Sequence, residues 1–222
     1  MREVVRSIFG RISVVYGCFL VVGGCIYNEE AVPEIVYTGE SELVLPSRPA
    51  PARTWTGIER GMPRDWLPPA RVEKRWSAII IHHSATMKGN AAIFDAWHKQ
   101  SNHWNGVGYD FVIGNGNGSG DGQVEVTFRW REQIAGAHCG GTPGNWANER
   151  GIGICLVGDF TKTRPTRQQM QSLVRLVRSL QERYDIPKSR IYGHHSTPGY
   201  PGRTECPGRH FPVAEFKSML DF

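Results

Sequence analysis

Apolar positions along the chain fall into short runs separated by clusters of glycine, proline and polar residues. Ser77–His83 is rich in isoleucine and has the length of a buried central strand. Asn90 opens a helix over Ala91–Gln100, with Ile93, Phe94 and Trp97 on one stripe. Tyr109–Gly114 reads as a strand, and the alternating stretch Val124–Trp130 is expected to pair with it across a glycine-dense turn, Gly114–Gly122. No Lys-Ser/Thr follows that turn and no helix opens there, which excludes a phosphate-binding loop. Gly151–Val157 reads as a second buried strand. The strongest helix is Thr166–Tyr184: Thr166 and Gln169 fit a capping box, and Met170, Leu173, Val174, Val177, Leu180 and Tyr184 keep helical spacing. That stripe is core rather than a binding surface. Ile191–His194 is a short strand and Ala214–Leu220 a closing helix. The sum predicts an α/β fold, a mixed central sheet flanked by helices.

The first 74 residues differ in character. Arg2, Arg6 and Arg11 precede an uncharged run, Ile12–Tyr27, that is too short for a membrane span of ~20 residues. A basic start, a short apolar stretch and small residues at its end describe an export signal. The end, Val22-Gly23-Gly24-Cys25, resembles a bacterial lipoprotein box. Residues 1–24 are therefore expected to be a cleaved signal, with Cys25 lipid-modified and the protein anchored in the cell envelope. Residues 25–74 carry seven prolines and read as a tether or irregular wrap. Arg53–Trp66, with two tryptophans, is expected to pack on the folded domain, residues 75–222.

Composition is that of a globular protein, 40% hydrophobic and 21% charged. Formal net charge is +5; three Arg and one Glu in residues 1–24 leave +3 for the rest. That basicity suits an anionic cell wall and is too weak to argue for nucleic acid. No feature signals oligomerisation, so a monomer is the default.

Candidate chemistry sits at two His-His pairs, His82-His83 and His194-His195, each ending a predicted strand, and at Cys206 among prolines and glycines. Strand alternation lets only one histidine of each pair face a given site. Two histidines and a cysteine are soft ligands, and three protein ligands with an open fourth position make a catalytic zinc site. The separation is too long for a local zinc motif, so spacing alone leaves metal binding open. A thiolate in that setting needs a cation to hold its charge. The alternative without metal is a Cys-His nucleophile pair at Cys206; no G-x-S-x-G elbow accompanies Ser84. Cys155 reads as a core residue. Cys139 admits three roles: bystander, disulfide partner or fourth soft ligand.

The ordered segments I-I-I-H-H-S-A-T, W-H-K-Q-S-N-H-W-N-G-V-G-Y-D-F-V-I-G, A-G-A-H-C-G-G, N-E-R-G-I-G-I-C-L-V-G-D-F, G-H-H and T-E-C-P-G resemble the zinc N-acetylmuramoyl-L-alanine amidases of type 2, related to the peptidoglycan recognition proteins. The likeness spans Ser77–Leu220. It implies Zn2+ held by His82, His194 and Cys206, with His83 and His195 in supporting places. It implies that Tyr109 and Thr204 orient water and steady the oxyanion, and that His138, Trp104 and Asn148 line the substrate groove. The substrate it implies is peptidoglycan or muropeptide, cut between N-acetylmuramic acid and L-alanine; the alternative is a peptidoglycan-binding receptor or wall anchor without hydrolysis. Two positions depart from the family pattern. Thr204 stands where some members have lysine, and Asp110 where many have histidine. The segment Val124–Trp130 also blurs a Gly-Arg turn usual in the family.

Overall fold

The computed structural model describes residues 62–221. The expected export signal, Cys25 and residues 25–61 of the expected tether lie outside the described residues.

Five strands form one sheet in the order β3-β2-β4-β1-β5. β1 (Ala78–His83), β4 (Gly151–Leu156) and β5 (Ile191–Gly193) run parallel, as does β2 (Phe111–Ile113) against β4. β3 (Val124–Val126) joins β2 antiparallel through the glycine-rich turn, closed by Gly122 N–H donating to the Gly114 carbonyl at 2.8 Å. The central strands are buried on both faces, which is why their sequences read as continuous apolar runs.

Alternation divides those faces. Ile79 and Ile81 of β1, Ile152, Ile154 and Leu156 of β4, and Phe111 and Ile113 of β2 join the main core. Leu173, Val177 and Leu180 of α4 (Arg167–Tyr184) complete it. The intervening positions, Ala78, Ile80 and His82 on β1 and Gly151, Gly153 and Cys155 on β4, face the opposite side. On that side lie α1 (Ala91–Asn102) and α3 (Trp146–Arg150).

The start of α4 has the expected capping box: Thr166 Oγ1 accepts from Gln169 N–H at 3.0 Å, and Gln169 Oε1 accepts from Thr166 N–H at 3.1 Å. The Gln169 amide also donates to the carbonyls of Ile113 and Val157, at 3.1 and 2.8 Å, fixing the helix to the ends of β2 and β4.

Two expectations change. The alternating stretch Val124–Trp130 stops being a strand at Val126, and α2 (Phe128–Glu132) follows. The turn sends Trp130 into the core, where it stacks on Trp76 with centroids 5.9 Å apart and its indole N–H donates to the Trp66 carbonyl at 2.8 Å. It sends the Arg129 guanidinium the other way, onto the carbonyls of Val107 and Ala135. The short strand Ile191–His194 likewise ends at Gly193, and His194–Ser196 is a 3-10 turn. A final helix, α5 (Val213–Ser218), closes the chain.

Residues 62–76 wrap the α4 side of the sheet. Met62 and Trp66 pack on the core, and Glu73 pairs with Arg183 at 2.6 Å while accepting from the Tyr184 hydroxyl at 2.7 Å. The Arg183 contact holds the Glu73 carboxyl below its ordinary range, against the opposing effect of burial.

Candidate metal centre

His82 lies near the C-terminal end of β1, and His194 directly follows β5. The parallel register that sets Ile81 beside Gly193 therefore brings the two imidazoles side by side, with ring centroids 4.7 Å apart. Cys206 arrives on the loop after β5. His195 pins that loop: its backbone N–H and ring Nδ1 both donate to the Cys206 carbonyl at 2.9 Å. The other histidine of the first pair faces away, its Nδ1 accepting from Phe160 N–H at 3.0 Å.

One ligand atom from each of His82, His194 and Cys206 lies within 4.8 Å of the others, and all three residues are buried. Cys206 Sγ stands 3.6 Å from His82 Nδ1. Tetrahedral zinc, with Zn–N of ~2.0 Å and Zn–S of ~2.3 Å, separates a nitrogen from a sulfur ligand by about 3.5 Å. The donor set also fits electrostatically. Burial, reinforced by His194, His138 and His83, drives the His82 pKa well below the usual imidazole range. Burial also lowers His194 to about 4, so both rings are neutral near pH 7 and offer lone pairs. His194 Nε2 is buried without a hydrogen-bond partner, as an atom awaiting a ligand bond would be. Among the described residues this is the one such cluster.

Around it the expected residues fall into two groups. Tyr109 and Thr204 border the cluster. The Tyr109 ring lies 5.2 Å from that of His82, and its hydroxyl is within hydrogen-bonding reach of the Cys155 thiol, beside His82 in the β1–β4 register. Thr204 Oγ1 accepts from Cys206 N–H at 3.2 Å, leaving its own hydrogen free to donate. Trp104 is 37% exposed at the rim, its ring 4.9 Å from that of His98.

His138 and Asn148, implied as groove residues, sit behind the site. Both are buried. The Asn148 side-chain oxygen accepts from the backbone N–H of His138 and of Cys139, each at 2.9 Å. His138 lies under His82, 3.2 Å from it, and burial lowers its pKa to about 3. Cys139 is also buried, packing with Ala78, Ile80 and Ala147, and takes no part in the ligand cluster.

Two residues with a hand in the site escaped the sequence reading. His98 on α1 is 3% exposed, its Nδ1 accepts from Gly108 N–H at 3.1 Å, and its ring lies 5.8 Å from Tyr109. Its signal was the four-residue step from Phe94, which puts both on the inner face of the helix. Asp110, noted only as a departure from the family, is a fully buried carboxyl whose Oδ2 accepts from Gly153 N–H at 2.8 Å. Burial raises its pKa to about 7.

A mixed sheet with a His-His-Cys cluster at the ends of two parallel strands defines a member of the amidase and peptidoglycan recognition fold. The family model described as N-acetylmuramoyl-L-alanine amidase matches residues 72–209, and the chain belongs to that family. It is 33% identical over 144 residues to peptidoglycan-recognition protein SC2 of Drosophila melanogaster, covering 60% of this chain and 68% of that protein. Among solved structures it resembles the N-acetylmuramoyl-L-alanine amidase LysC from Clostridium intestinale, at 33% identity and TM-score 0.55, covering 66% of this chain and 85% of the other. It also resembles Drosophila PGRP-LB, solved as a point variant in complex with tracheal cytotoxin, at 25% identity and TM-score 0.50, covering 66% and 82%.

Proposed function

We propose that the protein is a zinc-dependent amidase that hydrolyses the bond between N-acetylmuramic acid and L-alanine in peptidoglycan or its fragments. The observation that carries this reading is the convergence of His82, His194 and Cys206 within 4.8 Å. Family members that only bind typically lack one or more of these ligands, and here all three positions are filled. The complexes of the relatives PGRP-LB and peptidoglycan recognition protein-LE with tracheal cytotoxin, a monomeric diaminopimelic acid-type peptidoglycan, support a muropeptide-like ligand. Export and a lipid anchor at Cys25 remain part of the proposal.

Zinc held by these residues would supply Lewis acidity, lowering the pKa of a coordinated water to ~7 and polarising the amide carbonyl. The remaining work falls to the chain's own groups. The neutral rings of His82 and His194 present lone pairs, and Cys206 brings the negative charge. Tyr109 and Thr204, both beside the cluster, supply neutral hydroxyl donors where the carbonyl oxygen gains charge. Trp104 at the rim offers an apolar wall for the sugar or the stem peptide.

The test is to incubate the purified protein with peptidoglycan, with and without a chelator, and to follow free stem peptides by mass spectrometry. Chelator-sensitive release is expected. Alanine at His82, His194 or Cys206 should lose the metal and the release together. Binding to the wall without release would overturn the enzyme reading in favour of a receptor.

A further inference from the structure

Beneath the cluster, a chain of hydrogen bonds runs from a backbone carbonyl to His82 Nε2, the ring nitrogen turned away from Cys206. The Gly151 carbonyl is 3.3 Å from His138 Nε2. A carbonyl can only accept, so His138 Nε2 carries the hydrogen and, in the neutral ring, His138 Nδ1 is a lone pair. That lone pair is 3.2 Å from His82 Nε2, which must therefore be the protonated nitrogen of His82. His82 Nδ1 is then left as a lone pair, on the side facing Cys206 Sγ.

The surroundings hold His138 in one place. Its backbone N–H is tied to Asn148 at 2.9 Å. Gly136 and Gly153 leave a slot for it: a Cβ at either would come within 2.4 and 2.3 Å of the imidazole. A glycine inside β4 is thus explained by the close approach of the ring.

We propose that His138 is a positioning residue that fixes His82 in its Nε2-protonated tautomer and so sets the zinc affinity of the site. This rests on the zinc reading above. The other tautomer would present an N–H, not a lone pair, to the metal. Outer partners of this kind are worth about 10–100-fold in metal affinity.

The test uses the full chain and two variants. His138→Leu fills the slot without an acceptor. His138→Asn keeps an oxygen close to where Nδ1 stands. Zinc affinity is read by competition with a chromophoric chelator, and the His82 tautomer of the metal-free protein by long-range 1H–15N NMR. Expected are Nε2–H at His82 in the wild type, zinc binding about 10–100-fold weaker in His138→Leu, and His138→Asn nearer to wild type than to leucine. Wild-type affinity in the leucine variant, equal loss in both variants, or Nδ1–H at His82 in the wild type would each overturn the inference. If the leucine variant does not fold, the asparagine variant and the wild-type tautomer decide it. A wild type that binds no zinc would sink the metal reading instead, and the tautomer measurement would still decide the relay.

Discussion

His98 should make the metal-free protein sensitive to acid. Its ring is buried between Trp104 and Tyr109, and desolvation, aided by the nearby Arg129 charge, lowers its pKa from 6.5 to about 4. The unfolded chain then binds a proton that the folded one refuses, wherever the pH lies between those values. Stability from the neutral ring is therefore full above pH ~6.5, is lost as pH falls toward ~4, and does not change further below that. Integrating the proton uptake from pH 7 to pH 5 gives a loss of about 2 kcal/mol from this residue, a sizeable part of a total stability of about 5–15 kcal/mol. The control is His98→Gln, which retains an acceptor for the Gly108 N–H and cannot titrate. Urea unfolding of both proteins in chelator, at the two pH values, measures the difference. His82, His138 and His194 are shifted in the same direction and cost both proteins alike. The wild type should lose about 2 kcal/mol more than the variant. Equal losses would mean that His98 is already solvated or protonated in the folded state, and the account of its burial would be wrong.

Other consequences can be measured separately. Thr204→Val should lower turnover by about 10²–10³ with zinc content unchanged, and Thr204→Ser should restore most of it; an active valine variant would remove Thr204 from the chemistry. Gly153→Ala would put a methyl 2.3 Å from the His138 ring; overpacking should cost about 1–3 kcal/mol in urea unfolding and weaken zinc binding without touching a ligand. Gln169→Leu leaves the carbonyls of Ile113 and Val157 without this donor and breaks the capping box, so the thermal midpoint should fall by several degrees, for a loss of about 2–4 kcal/mol.

Much of this arrangement was legible in the sequence, for reasons that particular residues make clear. The run I-I-I-H-H obeys a period of two, and the structure divides it as that period requires, with Ile79 and Ile81 against α4 and His82 on the other face. The capping box of α4 is local chemistry and needs no tertiary information. By contrast, V-E-V-T-F-R-W also alternates, yet the strand ends at Val126 and a helix follows, its Trp130 and Arg129 bonded to partners more than sixty and about twenty residues away in sequence, which a local pattern does not contain. The five-residue helix α3 has too few positions for a period to be read at all.

His138 and Asn148 show a different limit. The resemblance implied that both line the substrate groove, and the glycine-rich stretch around His138 carries no periodic pattern that would place it. Such a stretch can equally be tucked behind a sheet, provided its polar atoms find partners, as the Asn148 oxygen does with two N–H groups. The signal that distinguishes the two cases lay in another segment. In G-I-G-I-C of β4, every residue on the site face is glycine or cysteine, while every residue on the core face is branched and apolar. A strand with one face stripped of side chains needs something to occupy the space above it. Here that space admits the His138 ring over Gly153, the Asp110 carboxyl on the Gly153 N–H and Tyr109 against Cys155. The bare face of β4 is therefore the floor on which the groups around His82 are assembled, and its glycines belong to the site as much as the ligands do.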